Sequence, residues 1–141
     1  MRTPPKMGEV YAEATFHGRG GRTERIRLLV DTGSTFTCIP APLARELGVT
    51  PAGKVVLELA NGRRVQRTVG DVDIEILGRR MPRRIVFGRP ADASLIGVDT
   101  LQGLLLDVEP ATHRLRGRRT ALAVTPRALR LIPATRKGRA S

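Results

Sequence analysis

Hydrophobic and polar residues alternate in short runs along most of the chain. Alternation with a period of two residues is typical of strands that bury one face. The runs lie at 10–16, 26–30, 55–59, 65–69, 72–76 and 85–87. Turn-forming segments separate them, of which 17–22, 61–62 and Gly78 are the clearest. Short strands spaced in this way predict an all-β domain, either a small barrel or a sandwich.

Two short helices and one hairpin complete the predicted pattern. A helix is expected over 42–47, where Gly48 ends it, and another over 99–104, after Gly97. The dipeptide Asn61-Gly62 lies between two alternating runs. It predicts a two-residue turn of type I′, in which both central residues have positive φ.

The length and cysteine content narrow the class of protein. The 141 residues fit one domain, over 8–116, followed by a C-terminal extension over 117–141. With Cys38 as the only cysteine, the chain can form neither an internal disulfide nor a cysteine-based zinc site. We expect Cys38 to be a small buried side chain rather than a reactive thiol, and we expect no metal and no cofactor.

Since no long apolar run or secretory signal is present, we expect a cytoplasmic protein without membrane contact.

The positive charge is concentrated at the end of the sequence. The chain carries a formal net charge of +12, and residues 114–141 contain nine basic and no acidic residues. Tails of this kind often bind nucleic acid. They also act simply as solvated segments, and the tail contains no aromatic residue on which bases could stack. We therefore favour solvation and keep nucleic-acid binding as the alternative.

One short segment has the features of a catalytic site. The apolar run Leu28-Leu29-Val30 ends at Asp31-Thr32-Gly33-Ser34, so a carboxylate stands where a strand enters a tight turn. A carboxylate in such a place needs hydrogen-bond donors or a shared proton. Gly33 permits close approach of the backbone, and hydroxyl groups flank it on both sides. An ordinary aspartate at a strand end is the alternative interpretation.

Several further features, in order, resemble the retropepsin-like aspartic proteases. The Asp-Thr-Gly-Ser segment is followed by a hairpin at Asn61-Gly62, where the family has its flap, and by an alternating strand that ends at Gly78. The family's apolar-apolar-Gly segment then matches Leu95-Ile96-Gly97, and a short helix over 98–103 precedes a strand over 104–108. The resemblance covers about residues 8–116. It implies an all-β, retropepsin-like closed barrel with one or two short helices, assembled as a homodimer.

The resemblance also implies a reaction and a set of site residues. Family members hydrolyse peptide bonds with two facing aspartates, one protonated and one ionised. This chain has one Asp-Thr-Gly, so Asp31 of a second copy would complete the pair. Thr32, Gly33 and Ser34 would support the active-site loop, with the Ser34 hydroxyl donating to Asp31. The flap residues Ala60, Asn61, Gly62 and Arg63 would close over a peptide or protein substrate, and Leu95, Ile96 and Gly97 would pack beneath the loop.

The chain departs from viral members of the family in two linked positions. Ser34-Thr35 replaces their Ala-Asp, and Val98 replaces the arginine that pairs with that aspartate. Two alternative functions remain: a catalytically silent peptide-binding module of the same fold, and a nucleic-acid-binding protein that acts through its tail. We expect the arginine pairs 63–64, 79–80 and 83–84 to be solvated at turns. The pair at the flap has a second interpretation, a preference for acidic substrates.

Overall fold

The computed structural model of the protein describes residues 8–119. Nine strands and two α-helices form this part of the chain. The strands are β1 (Val10–His17), β2 (Thr23–Val30), β3 (Thr37–Pro40), β4 (Gly53–Glu58), β5 (Arg64–Ile76), β6 (Arg79–Gly88), β7 (Leu95–Ile96), β8 (Leu106–Glu109) and β9 (Arg114–Gly117). The helices are α1 (Ala41–Glu46) and α2 (Val98–Gly103), each one residue earlier than the residue pattern predicted, and α2 has the bounds that the family resemblance implied. The all-β prediction with two short helices is therefore confirmed for these residues.

Seven of the strands form one sheet, in the order β1-β2-β7-β3-β6-β5-β4. Most neighbours are antiparallel, but β2 runs parallel to β7 and β3 runs parallel to β6. The sheet also returns on itself, because β1 pairs with β5 as well as with β2. β8 and β9 form a separate antiparallel pair. The parallel pairs place the loop after β2 next to the segment that precedes α2.

The core consists of the inward faces that the alternation predicted. Ala12, Ala14 and Phe16 of β1 are buried, and so are Leu28 and Val30 opposite them on β2. Residues from β3, β5, β6, β7, β8, both helices and the segments that follow the helices complete the same cluster: Ile39, Ala44, Leu47, Val49, Val72, Ile74, Ile76, Ile85, Phe87, Ile96, Leu101, Leu104 and Leu106. No helix within residues 8–119 is long and apolar enough to cross a membrane.

β5 is one long strand where the sequence predicted two. Its first half pairs with β4, and its second half pairs with β6 and, at its end, with β1. Gly70 lies between the two predicted strands, and a Cβ at this position would lie 2.7 Å from the carbonyl oxygen of Thr50. The glycine therefore allows close packing within a continuous strand and does not mark a turn.

β6 begins at Arg79, six residues before the predicted strand. The prediction missed its first half because that half carries arginines instead of apolar residues. Arg80 pairs with Asp73, and Arg84 pairs with Asp71, in both cases across the β5–β6 ladder. Arg79 donates to the carbonyl oxygens of Leu104 and Leu105. The prediction that these arginines lie at turns is therefore wrong, because they belong to a strand, but the side chains of Arg80 and Arg84 remain 52% and 39% exposed to solvent.

The two hairpin turns differ from the predicted geometry. Asn61 keeps a negative φ while Gly62 has φ +84°, and the Gly62 N–H donates to the Leu59 carbonyl at 2.9 Å. This is a three-residue loop, a type I turn followed by a left-handed glycine, so the predicted type I′ turn is wrong here. The turn with two positive φ values joins β5 to β6 instead, at Leu77 (51°) and Gly78 (77°).

Candidate active site

Asp31 directly follows β2, at the point where the parallel pairing with β7 ends. The last two residues of β2, Leu29 and Val30, pair with Leu95 and Ile96. The Asp31 N–H continues this ladder and donates to the carbonyl oxygen of Ile96 at 2.9 Å. The backbone that carries the carboxylate is therefore fixed by the sheet, while the side chain stands at its edge, partly buried.

Two donors from the following turn hold the Asp31 carboxylate. The backbone N–H of Gly33 donates to Oδ1 at 2.9 Å, and the hydroxyl of Ser34 donates to Oδ2 at 3.0 Å. These two hydrogen bonds, one to each carboxylate oxygen, fix the plane of the carboxylate. A Cβ on Gly33 would lie 3.3 Å from Oδ1, so a side chain here would crowd the carboxylate.

Thr32 points away from this network. Its side chain is exposed, and its hydroxyl has no hydrogen-bond partner among the residues that the structure describes. An exposed threonine between an aspartate and a glycine is available for contact with a second molecule.

The predicted Leu95-Ile96-Gly97 segment does lie beneath the loop. Its backbone continues into α2, where the N–H groups of Val98 and Asp99 donate to the carbonyl oxygens of Ser34 and Thr35, each at 2.8 Å. A Cβ on Gly97 would lie 2.4 Å from the carbonyl carbon of Phe36, inside any allowed contact. Only glycine allows the two segments to approach this closely.

Two buried threonines support the loop, and sequence reasoning missed both. Thr37 and Thr100 are fully buried, and their hydroxyl oxygens lie 2.6 Å apart. Thr37 also accepts a hydrogen bond from the Gly97 N–H at 3.1 Å. Each threonine lies on the buried face of a short segment, 37–39 or 98–101. Because a buried hydroxyl needs a hydrogen-bond partner, these two positions could have indicated the pair.

A groove of about 720 Å³ opens beside the active-site loop. Its walls come from the loop itself, from the β4–β5 hairpin and from the segment that precedes β7. The lining residues are Gly33, Ser34, Thr35, Phe36, Cys38, Val56, Leu57, Glu58, Leu59, Arg63, Val65, Arg67, Val86, Ala91, Asp92, Ala93 and Leu95. Of the four predicted flap residues, only Arg63 lines the groove. Ala60, Asn61 and Gly62 form the exposed tip of the hairpin.

An ion pair joins the hairpin to the opposite wall of the groove. Arg67 on β5 holds Asp92 with two hydrogen bonds of 2.7 and 2.9 Å, and the two side chains are 11% and 21% exposed. The Arg89 N–H also donates to Asp92. The hydrogen bond from Arg67 is the main reason that the pKa of Asp92 lies below its usual value, although burial opposes this effect. Sequence reasoning missed this pair, because its members are 25 residues apart.

Cys38 also lines the groove and is partly buried. Burial raises the pKa of its thiol to about 11, and the nearby Asp92 carboxylate adds to this increase while Arg67 opposes it. The side chain is thus less enclosed than the sequence predicted, but its thiol is protonated at neutral pH.

A second cavity of about the same volume lies along the outer part of β1. Tyr11, Leu77 and His113 are among its lining residues, and none of the predicted site residues is. Within residues 8–119, no group of three or more His, Cys, Asp or Glu side chains is placed to hold a metal ion.

Comparison with models of protein families gives a match. Residues 12–105 match the model of a protein family described as aspartyl protease. The matched range contains the loop at Asp31, the β4–β5 hairpin and the segment 95–97. No curated protein matches the sequence.

Proposed function

The chain belongs to the aspartyl protease family, and we propose that it is an endopeptidase whose catalytic group is the Asp31 carboxylate, paired across a two-fold axis with Asp31 of a second copy. The observation that carries this proposal is the arrangement of the carboxylate. It stands at a sheet edge beside an open groove, and two donors at 2.9 and 3.0 Å fix its orientation.

The proposed reaction needs one proton shared between two carboxyl groups. Two carboxylates a few ångströms apart do not both ionise, so one is protonated and the other is charged. The charged group takes a proton from a water molecule whose oxygen attacks the peptide carbonyl carbon, and the protonated group gives its proton to the carbonyl oxygen. Collapse of the tetrahedral intermediate breaks the C–N bond, and the nitrogen leaves with a proton returned by the pair.

The second carboxylate must come from another copy of the chain. The other two aspartates of this region are already engaged: Asp92 is held by Arg67, and Asp99 pairs with Arg83 at 3.3 Å. A two-fold axis through the site brings the same loop of both copies together in an isologous contact. The exposed Thr32, which has no partner within residues 8–119, supports a contact of this kind.

The groove and the hairpin suit an extended peptide. Val56 is 65% exposed on the hairpin, and Leu57, Leu59 and Val65 line the groove below it. A peptide laid along the hairpin would bind as an additional strand, with alternate side chains in the groove. The hairpin would act as the flap and exclude water as it closes. In this proposal, the additional pairing of β5 with β1 closes the sheet into a barrel, and this barrel keeps the active-site loop rigid.

A catalytically silent peptide-binding module is the second candidate, because the same groove would serve it. The substitution Asp31→Asn separates the two. It keeps the shape of the side chain and removes both carboxylates of the symmetric pair. We expect cleavage of an unfolded protein substrate to fall at least about a thousandfold, while binding of an uncleaved peptide is retained.

The control for this variant is its folding and assembly. Sedimentation and thermal unfolding of Asp31→Asn should match those of the unmodified protein. Cleavage by the variant at a rate near that of the unmodified protein would exclude Asp31 as the catalytic group. Absence of cleavage by both proteins, with peptide binding intact, would favour the silent module.

A further inference from the structure

A third cavity, of about 510 Å³, adjoins the end of the groove. Val65 and Arg67 of β5 line both spaces, so the two are continuous along that strand. The other lining residues of the third cavity are Ala41, Arg45, Pro51, Lys54, Gln66, Thr68, Phe87 and Arg89. They come from α1, the segment before β4, β4 itself and the ends of β5 and β6.

Three cations line this cavity without partners. Arg45, Lys54 and Arg89 are exposed, and their side chains make no ion pair or hydrogen bond within the described part of the chain. No acidic residue lines the cavity. The Asp92 carboxylate in the adjoining groove accepts two hydrogen bonds from Arg67, and the Arg89 charge also acts on it, so one carboxylate faces two arginines. This region therefore has a positive potential that the protein itself does not neutralise.

We propose that this cavity, which we name the cationic subsite (Arg45, Lys54 and Arg89), binds acidic side chains of the substrate at positions away from the scissile bond. The inference rests on the proposed function and assigns that function a substrate class: extended peptides with aspartate or glutamate outside the residues that contact Asp31. A peptide in the groove leaves it past Val65 and Arg67, and so it enters the subsite.

The shape of the subsite favours a peptide over nucleic acid. Its lining contains the apolar side chains of Pro51, Val65 and Phe87 between the cations. Phe87 is buried and offers no exposed ring on which a base could stack. The flap arginines are less suited to recognise acids, because Arg64 lies 3.6 Å from Glu58 and Glu58 also lines the groove.

Symmetry makes the proposal more specific. In a two-fold dimer each subunit contributes one groove and one cationic subsite. Acidic residues should therefore be favoured on both the amino-terminal and the carboxyl-terminal side of the cleaved bond.

The test uses two peptide sets that differ only in charge. One set carries glutamate at flanking positions and the other carries glutamine at the same positions. For the unmodified protein, we expect kcat/KM to be about fivefold higher with the glutamate set, through KM rather than kcat. The double variant Lys54→Ala/Arg89→Ala should lose this preference, so that the ratio of kcat/KM between the two sets falls to about one. High salt should reduce the preference, since the subsite is open to solvent.

Arg114→Ala is the matched control for charge, because Arg114 is exposed and lines the separate cavity along β1. It should retain the preference. Equal cleavage of both peptide sets by the unmodified protein would overturn the inference and leave the proposed function intact. If neither set is cleaved, the proposed function fails. Binding of the two peptide sets to Asp31→Asn protein, measured by fluorescence polarisation of labelled peptides, then decides the inference. Equal binding of the two sets, or displacement of both by a short oligonucleotide that binds more tightly, would contradict it.

Discussion

The Asp31 carboxylate is positioned by the two residues that follow Thr32. The resemblance to aspartic proteases implied the hydrogen bond from Ser34, and the structure has this bond at 3.0 Å. The buried pair of Thr37 and Thr100 was not predictable in the same way. It joins positions 63 residues apart, and neither residue belongs to a recognisable motif.

Cys38 provides a test of the groove at the scale of one residue. Because burial raises the pKa of its thiol to about 11, little thiolate exists at pH 8. We expect iodoacetamide to modify Cys38 in the folded protein at least about tenfold more slowly than in the same protein unfolded in urea. Mass spectrometry of timed samples measures both rates. Equal rates would contradict the described environment of the thiol.

The Arg67–Asp92 pair predicts how stability depends on pH. The pKa of Asp92 is lowered in the folded state, chiefly by the hydrogen bond from Arg67. The pair therefore stabilises the protein above the pKa of a free aspartate, and this contribution is lost as the pH falls through the lower folded value. We expect Asp92→Asn to lose about 2 kcal/mol of unfolding free energy at pH 7 and much less at pH 2.

Urea denaturation at the two pH values measures this difference. Asp107→Asn is a suitable control, because Asp107 pairs with Arg116 in a more exposed position and its loss should have a smaller effect. A loss for Asp92→Asn that is the same at both pH values would show that the charge of Asp92 does not contribute.

At the scale of elements, the alternation of apolar residues predicted the strands that bury one face, while Gly48 marked the end of α1 and Gly97 the start of α2. It did not predict the first half of β6, whose arginines pair with the acids of β5, or the continuity of β5 through Gly70. Both failures have one physical cause. These segments form strands because they pair with other strands, and the residue pattern within one segment does not identify the strand with which it pairs.

The flap hairpin can be tested through its turn. Gly62 has φ +84°, a region that a β-branched residue enters only with strain, and a Cβ there would meet no other atom within 4 Å. We expect Gly62→Val to change the geometry of the tip, lowering kcat/KM by about tenfold or more while reducing unfolding free energy by only about 1 kcal/mol.

Gly62→Ala is the milder variant for comparison, because it has the same backbone strain with less bulk. The measurements are steady-state kinetics and urea denaturation on the same preparations. A large loss of stability with unchanged activity per folded molecule would mean that the hairpin is structural and does not act as a flap.

At the scale of the whole molecule, the order of motifs carried more information than any one of them. The family match over residues 12–105 confirms the resemblance that the sequence suggested. The extension over 117–141 lies almost entirely outside the described residues, so its solvation stays a prediction, with nucleic-acid binding as the alternative. The sequence contains a single Asp-Thr-Gly, so one copy of the chain provides one Asp31 loop. The proposed reaction therefore needs an assembly of two copies.

The most direct test of this assembly is a subunit-mixing experiment. Unmodified and Asp31→Asn chains are combined at a fixed total concentration, allowed to exchange, and assayed for peptide cleavage. If each active site needs Asp31 from both subunits, activity follows the square of the unmodified fraction, and an equal mixture retains about one quarter of the original activity. Activity proportional to that fraction, about one half in the equal mixture, would show that one copy is sufficient and would contradict the shared catalytic pair.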